Sequence, residues 1–299
     1  MRILTYVAAR QDDGRAVRSV VPRRFQLGEH AYRRLKMMGA IRVNGEIARA
    51  DRVVREGDVL TVCLPSAGGG APALSSAAGD GLPASFIRYI DEDMLIVSKG
   101  APLATLPCGH IQTGTLREQL AAQLGLDAAS FRYHPVNRLD KGTSGLLCVA
   151  RHAHAQRLLS RQLHTGAFIR EYLAVTEGIP DDMQGTIDAP IARLGPGARR
   201  AVCPGGQRAV THYSVEQTHG GRALIRLRLE TGRTHQIRVH LASIGCPIAG
   251  DYLYGREIAA LSGRFALHST TLSCLQPITG ARIGVSEPMP EELAALLDC

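Results

Sequence analysis

Apolar and polar positions along the chain change period several times, and each change marks an element. SFIRYIDEDMLIVSKGAP carries two short apolar runs around an acidic turn, which predicts a pair of strands. GTLREQLAAQLG has helical spacing and a Gly125 stop, and the continuous apolar run Leu146–Ala150 predicts a buried strand. A helix ending at Gly166 follows it. FIREYLAVTEG reads as a strand, and RALIRLRLETG alternates as a half-buried strand does. THQIRVHLASIG opens as a helix after the Thr231-Gly232-Arg233 turn. No repeat of fixed period is present. The sum predicts an α+β catalytic domain with a mixed, mainly antiparallel sheet.

The N-terminal part has its own pattern. EHAYRRLKMMGAIRVNG predicts a basic helix, a glycine stop, a short strand and an Asn44-Gly45 hairpin turn. A second turn at Glu56-Gly57-Asp58 precedes a closing strand through Val59–Cys63. A first helix near Ala16–Phe25 is weakened by Pro22. Pro65–Pro83, PSAGGGAPALSSAAGDGLP, offers nothing to pack and reads as a flexible tether. The expected division is therefore a small α/β module over 1–64, a linker over 65–83 and a catalytic-sized unit over 84–299.

Charge sharpens that division. The chain carries a formal net charge of +8. Residues 1–64 hold thirteen Lys/Arg against seven Asp/Glu, a net +6, which leaves +2 for the rest. A basic module on a nearly neutral body points to a polyanionic partner. The seven cysteines are scattered and never spaced C-x-x-C, so neither a disulfide framework nor a cysteine zinc site is expected. No apolar run approaches the ~20 residues of a membrane span, and no signal-peptide pattern opens the chain. A cytoplasmic monomer with no membrane contact is the expectation.

Three stretches carry polar groups where packing does not call for them. In Asn137-Arg138-Leu139-Asp140-Lys141-Gly142 a carboxylate lies between two cations, which favours its ionised, nucleophilic form. Arg170-Glu171-Tyr172 places a tyrosine in a strand, where core packing alone would account for it. Thr231–His240 packs two arginines and two histidines at a strand-to-helix turn, against the preference of a helix start for anions.

Together the three resemble the RluA-type RNA pseudouridine synthases. RLDKGTSGLL is similar to the first family motif, with its aspartate, and REYLAV to the second, with its tyrosine. LETGRTHQIRVHLASIGCPIAGDYLYG is similar to the third, and FALHSTTLSCLQPITG to the closing strand. The resemblance runs from about Phe86 to the C-terminus. Departures are Asn137 for a more usual His, Arg170 for a common Lys, LHST for LHA, and a loose VSKGAPLATLPCGH segment. The N-terminal pattern resembles the S-four-type RNA-binding domain, which implies that Arg33, Arg34 and Lys36 meet phosphates.

The resemblance implies catalysis by Asp140, Tyr172 and Arg238. Arg238 would pair with Asp140, and Tyr172 would stack on a flipped uracil and help remove its carbon-5 proton. Arg138 would fill the gap left by the base or clamp a phosphate. Leu267 and Ile237 would form apolar walls, and Arg233 and His235 would support Arg238 or touch RNA. The implied reaction detaches a uracil, turns it and rejoins it through carbon 5, with no cofactor or metal. The implied partner is RNA, ribosomal more than transfer. Two alternatives stand beside this: a non-catalytic RNA-binding or ribosome-assembly protein, and a hydrolase with a metal on His152, His154, His235 and His240. The second is disfavoured because His152 and His154, two apart on an expected helix, should face different directions.

Overall fold

The computed structural model describes residues 1–65, 86–109, 111–163 and 165–298. The tether expected over 65–83 lies, apart from Pro65, outside the described residues. In the N-terminal part, β1 (Arg2–Val7) is followed by α1 (Val17–Arg24), α2 (Glu29–Met37), β2 (Ile41–Val43), β3 (Glu46–Ile47) and β4 (Val59–Leu64). The strands form an antiparallel sheet ordered β1-β4-β2-β3. Val20, Val21, Leu35, Ile41, Leu60 and Val62 fill a core of its own between helices and sheet. Asn44 and Gly45 both have positive φ, at 52° and 83°, as the predicted hairpin turn requires. Helix α1 forms despite Pro22, whose carbonyl accepts from Leu27 N–H at 2.8 Å.

A buried carboxylate ties this part together. Asp12 is fully inaccessible and accepts from Tyr6 Oη at 2.6 Å, Arg23 Nη2 at 2.8 Å and Arg24 Nη2 at 3.0 Å. Burial alone would push its carboxyl up, but the bonds from Tyr6 and Arg24 outweigh burial and hold it at about 2.

The second part continues with β5 (Ile87–Ile90), β6 (Met94–Lys99), α3 (Leu116–Gln123), β7 (His134–Pro135), β8 (Ser144–Ala150) and α4 (Ala153–Gln162). Then come β9 (Ile169–Glu177), β10 (Gln184–Asp188), β11 (Ile191–Arg193), β12 (Arg200–Val202), β13 (Val210–His219) and β14 (Arg222–Leu229). Helix α5 (Gln236–Ser243), β15 (Leu267–Leu275), β16 (Arg282–Ser286) and α6 (Glu291–Ala294) complete it. One sheet runs β10-β13-β14-β9-β15-β8-β6-β5, with β16 on β15 and β7 on β8. All its pairings are antiparallel except β15 with β8, so the sheet is mixed and mainly antiparallel. The run 144–150 is buried at every residue because the sheet is covered there on both faces. Strands β10 to β12 were not expected from the sequence, since the segment is short-stranded and rich in Gly, Pro and Arg.

Helices α3 and α5 cover one face of the sheet with Leu116, Leu120, Ile237 and Leu241, and α4 covers the other with Ala155 and Leu159. The two parts touch at an ionic node. Asp93, 1 % exposed, accepts from Arg2 Nε at 3.0 Å and from Gln276 Nε2 at 2.7 Å, and its other partner is His152 Nε2 at 2.9 Å. His152 caps α4 from an extended backbone (φ −155°), so its ring stacks on that of His154 with centroids 6.3 Å apart. The two rings therefore do not point apart, which corrects the expectation for two residues on one helix.

The Asp12 cluster gives a pH test. A depressed carboxyl stabilises the fold fully above its unfolded value of about 3.8 and loses that effect as pH falls toward 2. Asp12→Asn should lower stability by about 3 kcal/mol at neutral pH, measured by chemical denaturation. The gap to the parent protein should narrow below about pH 4; a gap constant with pH contradicts the assignment.

Candidate active site

A cavity of about 260 Å³ opens where the β7–β8 loop, β9 and the β14–α5 turn converge. Its lining contains Arg138, Asp140, Tyr172, Arg233, His235, Ile237, Arg238 and Leu267, the eight positions singled out in the second part of the sequence. Residues 98 apart in sequence thus face one space. Arg33, Arg34 and Lys36 are elsewhere, exposed on α2.

The centre of the cavity is an arginine held from behind. Arg238, 2 % exposed, donates through Nε and Nη2 to the two oxygens of Asp251 at 2.7 and 2.8 Å. This bidentate pairing fixes the plane of the guanidinium. Its remaining nitrogen, Nη1, reaches Asp140 Oδ2 at 3.3 Å. Phe265 lies 4.2 Å from the guanidinium carbon and Tyr254 5.0 Å, so aromatic faces close its flanks. Burial opposes the charge, yet Asp251 and then Asp140 raise the arginine above its ordinary value and keep it protonated. Asp251 is itself fully buried and accepts a further bond from Leu253 N–H at 3.0 Å. It was given no role from the sequence: it stands in GDYLYG, where it looks like a turn residue. The available signal was an acid within the third motif itself.

Asp140 differs from Asp251 in being open, with its side chain 27 % exposed to the cavity. The loop carrying it is held by its backbone. Thr105 Oγ1 donates to the Leu139 carbonyl at 2.8 Å and receives Leu139 N–H at 3.3 Å. Lys99, 1 % exposed at the end of β6, donates to the carbonyls of Leu103 at 2.8 Å and Lys141 at 3.4 Å. Burial pushes the Lys99 ammonium down to about 7, with Asp140 opposing and Arg264 adding to the fall. Gly142 is required by packing, because a Cβ there would sit 2.6 Å from the Phe265 ring. Thr105 and Lys99 fall in the loosely matching VSKGAPLATLPCGH segment, where sequence comparison alone did not distinguish them.

The other groups frame the carboxylate. Tyr172, 5 % exposed, lies on β9 opposite Ser269 of β15, and burial raises its phenol, so it is neutral at pH 7. His235 caps α5 in a left-handed conformation (φ 58°), which brings Nε2 to 4.0 Å from Asp140 Oδ2. Its other nitrogen meets Tyr254 Oη at 2.9 Å. Burial lowers the imidazole more than Asp140 raises it, so His235 is neutral near pH 7. Arg138 is exposed at the rim and bonds Thr234 Oγ1 at 2.8 Å. Arg170 also lines the cavity; it is 6 % exposed with Nε unpartnered, and was noted from the sequence only as a departure. Among the described residues no group of three or more His, Cys, Asp or Glu could hold a metal ion.

The family profile for RNA pseudouridylate synthase matches residues 93–243. YjbO of Bacillus subtilis, described as an uncharacterised RNA pseudouridine synthase, is 35 % identical over 87 % of this chain and 90 % of its own. Ribosomal large subunit pseudouridine synthase D of Xanthomonas campestris is 38 % identical over 85 % of this chain and 79 % of its own. The structure of human RNA pseudouridylate synthase domain containing 1 covers 70 % of this chain and 86 % of its own, with a TM-score of 0.55 and 26 % identity. With Asp140 facing a cavity that also holds Tyr172 and Arg238, and with these relatives matching most of the length of both chains, the chain belongs to the RluA-type RNA pseudouridine synthases and is an isomerase of uridines in RNA.

Proposed function

We propose that Asp140, Tyr172 and Arg238 convert uridines of large-subunit ribosomal RNA to pseudouridine, and that the N-terminal part is an S-four-type RNA-binding domain. The observation that carries the catalytic assignment is the asymmetry of the two carboxylates on Arg238. Asp251 uses both oxygens to hold the arginine, whereas Asp140 keeps one oxygen bonded and faces the cavity. A carboxylate so oriented is free to act on a uridine flipped out of its stack. The N1–C1′ bond breaks, the base turns, and C5 bonds to C1′ as its proton leaves and N1 gains one. Arg238 stabilises the carboxylate while it is charged. Tyr172, a neutral phenol against Leu267 and Ile237, suits a stacking face for the uracil better than a proton acceptor.

Several features support the RNA assignment. Arg34 and Lys36 are exposed cations on α2, while Arg33 pairs with Glu29 at 2.5 Å. A second cleft, lined by Arg193, Arg200, Arg233 and Thr234, adjoins the catalytic cavity and shares the last two residues with it. Arg138 is exposed at the cavity rim, a position that suits clamping a phosphate or filling the vacated stack. Ribosomal RNA is favoured over transfer RNA because the Xanthomonas relative is a ribosomal large subunit pseudouridine synthase. The scattered cysteines, never spaced C-x-x-C, support a reducing, cytoplasmic setting; among the described residues no helix is long and apolar enough to cross a membrane.

Asp140→Ala should abolish pseudouridine formation in ribosomal RNA, mapped chemically, while the protein keeps its melting temperature to within a few degrees. Residual conversion by that variant overturns the assignment. Affinity for the RNA should fall roughly hundredfold between about 50 and 200 mM salt, as about four phosphate contacts require. A flat salt profile in a filter-binding assay contradicts a phosphate-led interface.

A further inference from the structure

A second cavity, of about 330 Å³, lies away from the catalytic one, in the seam between α2 and α4. One wall is the start of α2, Gly28 to Ala31, with Arg34 and Leu35 on the next turn; the other is His152, His154 and Arg157 of the α4 side. The polar groups facing this seam do not satisfy one another. Gly28 is the N-cap of α2 and supplies no side-chain oxygen to the free amides of the first turn. Arg157 comes close to that same helix start: its Nη1 is 3.6 Å from where a Gly28 Cβ would be. A cation beside the positive end of a helix is electrostatically unfavourable unless an anion lies between them. Arg157 Nη2 is buried and has no hydrogen-bond partner among the described residues. His154, 8 % exposed and lining the same cavity, likewise has a buried Nδ1 with no partner among the described residues. The acid at this wall is Glu29, which is engaged by Arg33. Burial, with His152 and Arg157 nearby, pushes His154 down to about 4, so an anion in the seam would raise it.

We propose that this seam is a phosphate site that holds the RNA backbone between the N-terminal part and α4, with the α2 amides, Arg34, His154 and Arg157 as its ligands. The proposal rests on reading RNA as the substrate and adds a place where both halves of the chain grip one strand. A phosphate there answers each unpaired donor at once: helix amides, guanidinium and imidazole all bind phosphate oxygens. Asp93 bonds both Arg2 of β1 and His152 at the N-cap of α4, so the N-terminal part and α4 are linked beside the seam. Leu27, Ala31 and Leu35 add apolar lining, which lowers the local dielectric and strengthens charge pairing.

The test uses the full chain with labelled histidine rings. Short single-stranded RNA should shift the His154 ring signals and raise its pKa from about 4, and Arg157→Gln should remove that response. On large-subunit ribosomal RNA, Arg157→Gln and Arg34→Gln should each raise KM about tenfold, the size of one charge-assisted contact, with the effect on KM and not on kcat. Arg157→Gln should melt within a few degrees of the parent protein, because no side-chain hydrogen bond or ion pair joins Arg157 to another of the described residues. A response to inorganic phosphate without one to RNA means a free-anion site and overturns the RNA assignment. Unchanged KM with an unmoved His154 signal overturns the site altogether. If the parent protein forms no pseudouridine, the enzymatic reading fails separately, and the His154 response to RNA still decides the seam.

Discussion

The structure depends on one buried arginine held between two unequal carboxylates. Arg238 cannot be buried without compensation, and Asp251 supplies it with two short, coplanar bonds. Because Asp251 satisfies most of the charge from behind, the arginine needs only one contact in front. Asp140 therefore keeps a partly exposed carboxylate whose position is fixed and whose outer oxygen is available. A symmetric clamp would have tied up both oxygens of Asp140.

The sheet makes this arrangement by joining distant segments. Strands β8, β15 and β9 lie side by side, so the loop before β8 delivers Asp140, β15 begins at Leu267, and β9 presents Tyr172. The turn from β14 into α5 delivers His235 and Arg238 from the opposite side. Packing then removes slack: Phe265 lies against both Gly142 and Arg238, and Lys99 and Thr105 hold the Asp140 loop through carbonyls. Lys99 ends the strand that begins next to Asp93, so the node fastening the N-terminal part and the residue fastening the Asp140 loop share β6.

Much of this was legible in the sequence, for identifiable reasons. A continuous apolar run revealed β8, and apolar spacing revealed β9 and β14, because each is long enough to stand out and buries at least one face. The Asp140 and Arg238 motifs stood out because charges interrupted those patterns, whereas Tyr172 was set apart only by the family resemblance. Asp251 was hidden because its role is defined by a partner on α5, and nothing in its own neighbours calls for burial. Lys99 was hidden for the opposite reason, as a terminal lysine on an apolar strand looks like a solvated end. The β11–β12 hairpin, each strand three residues, is too short for any period to show. His154 and Arg157 look like ordinary helix polar positions until α2 is placed against them.

The central claim is that Asp251 acts through Arg238 upon Asp140, and a double-mutant cycle on single-turnover pseudouridine formation tests it most directly. Asp251→Asn and Arg238→Gln should each slow the reaction about a hundredfold, the span of a few kcal/mol, and the double variant should be no slower than the worse single one. If the two losses instead multiply, Asp251 does not work through Arg238, and the account of the site is wrong.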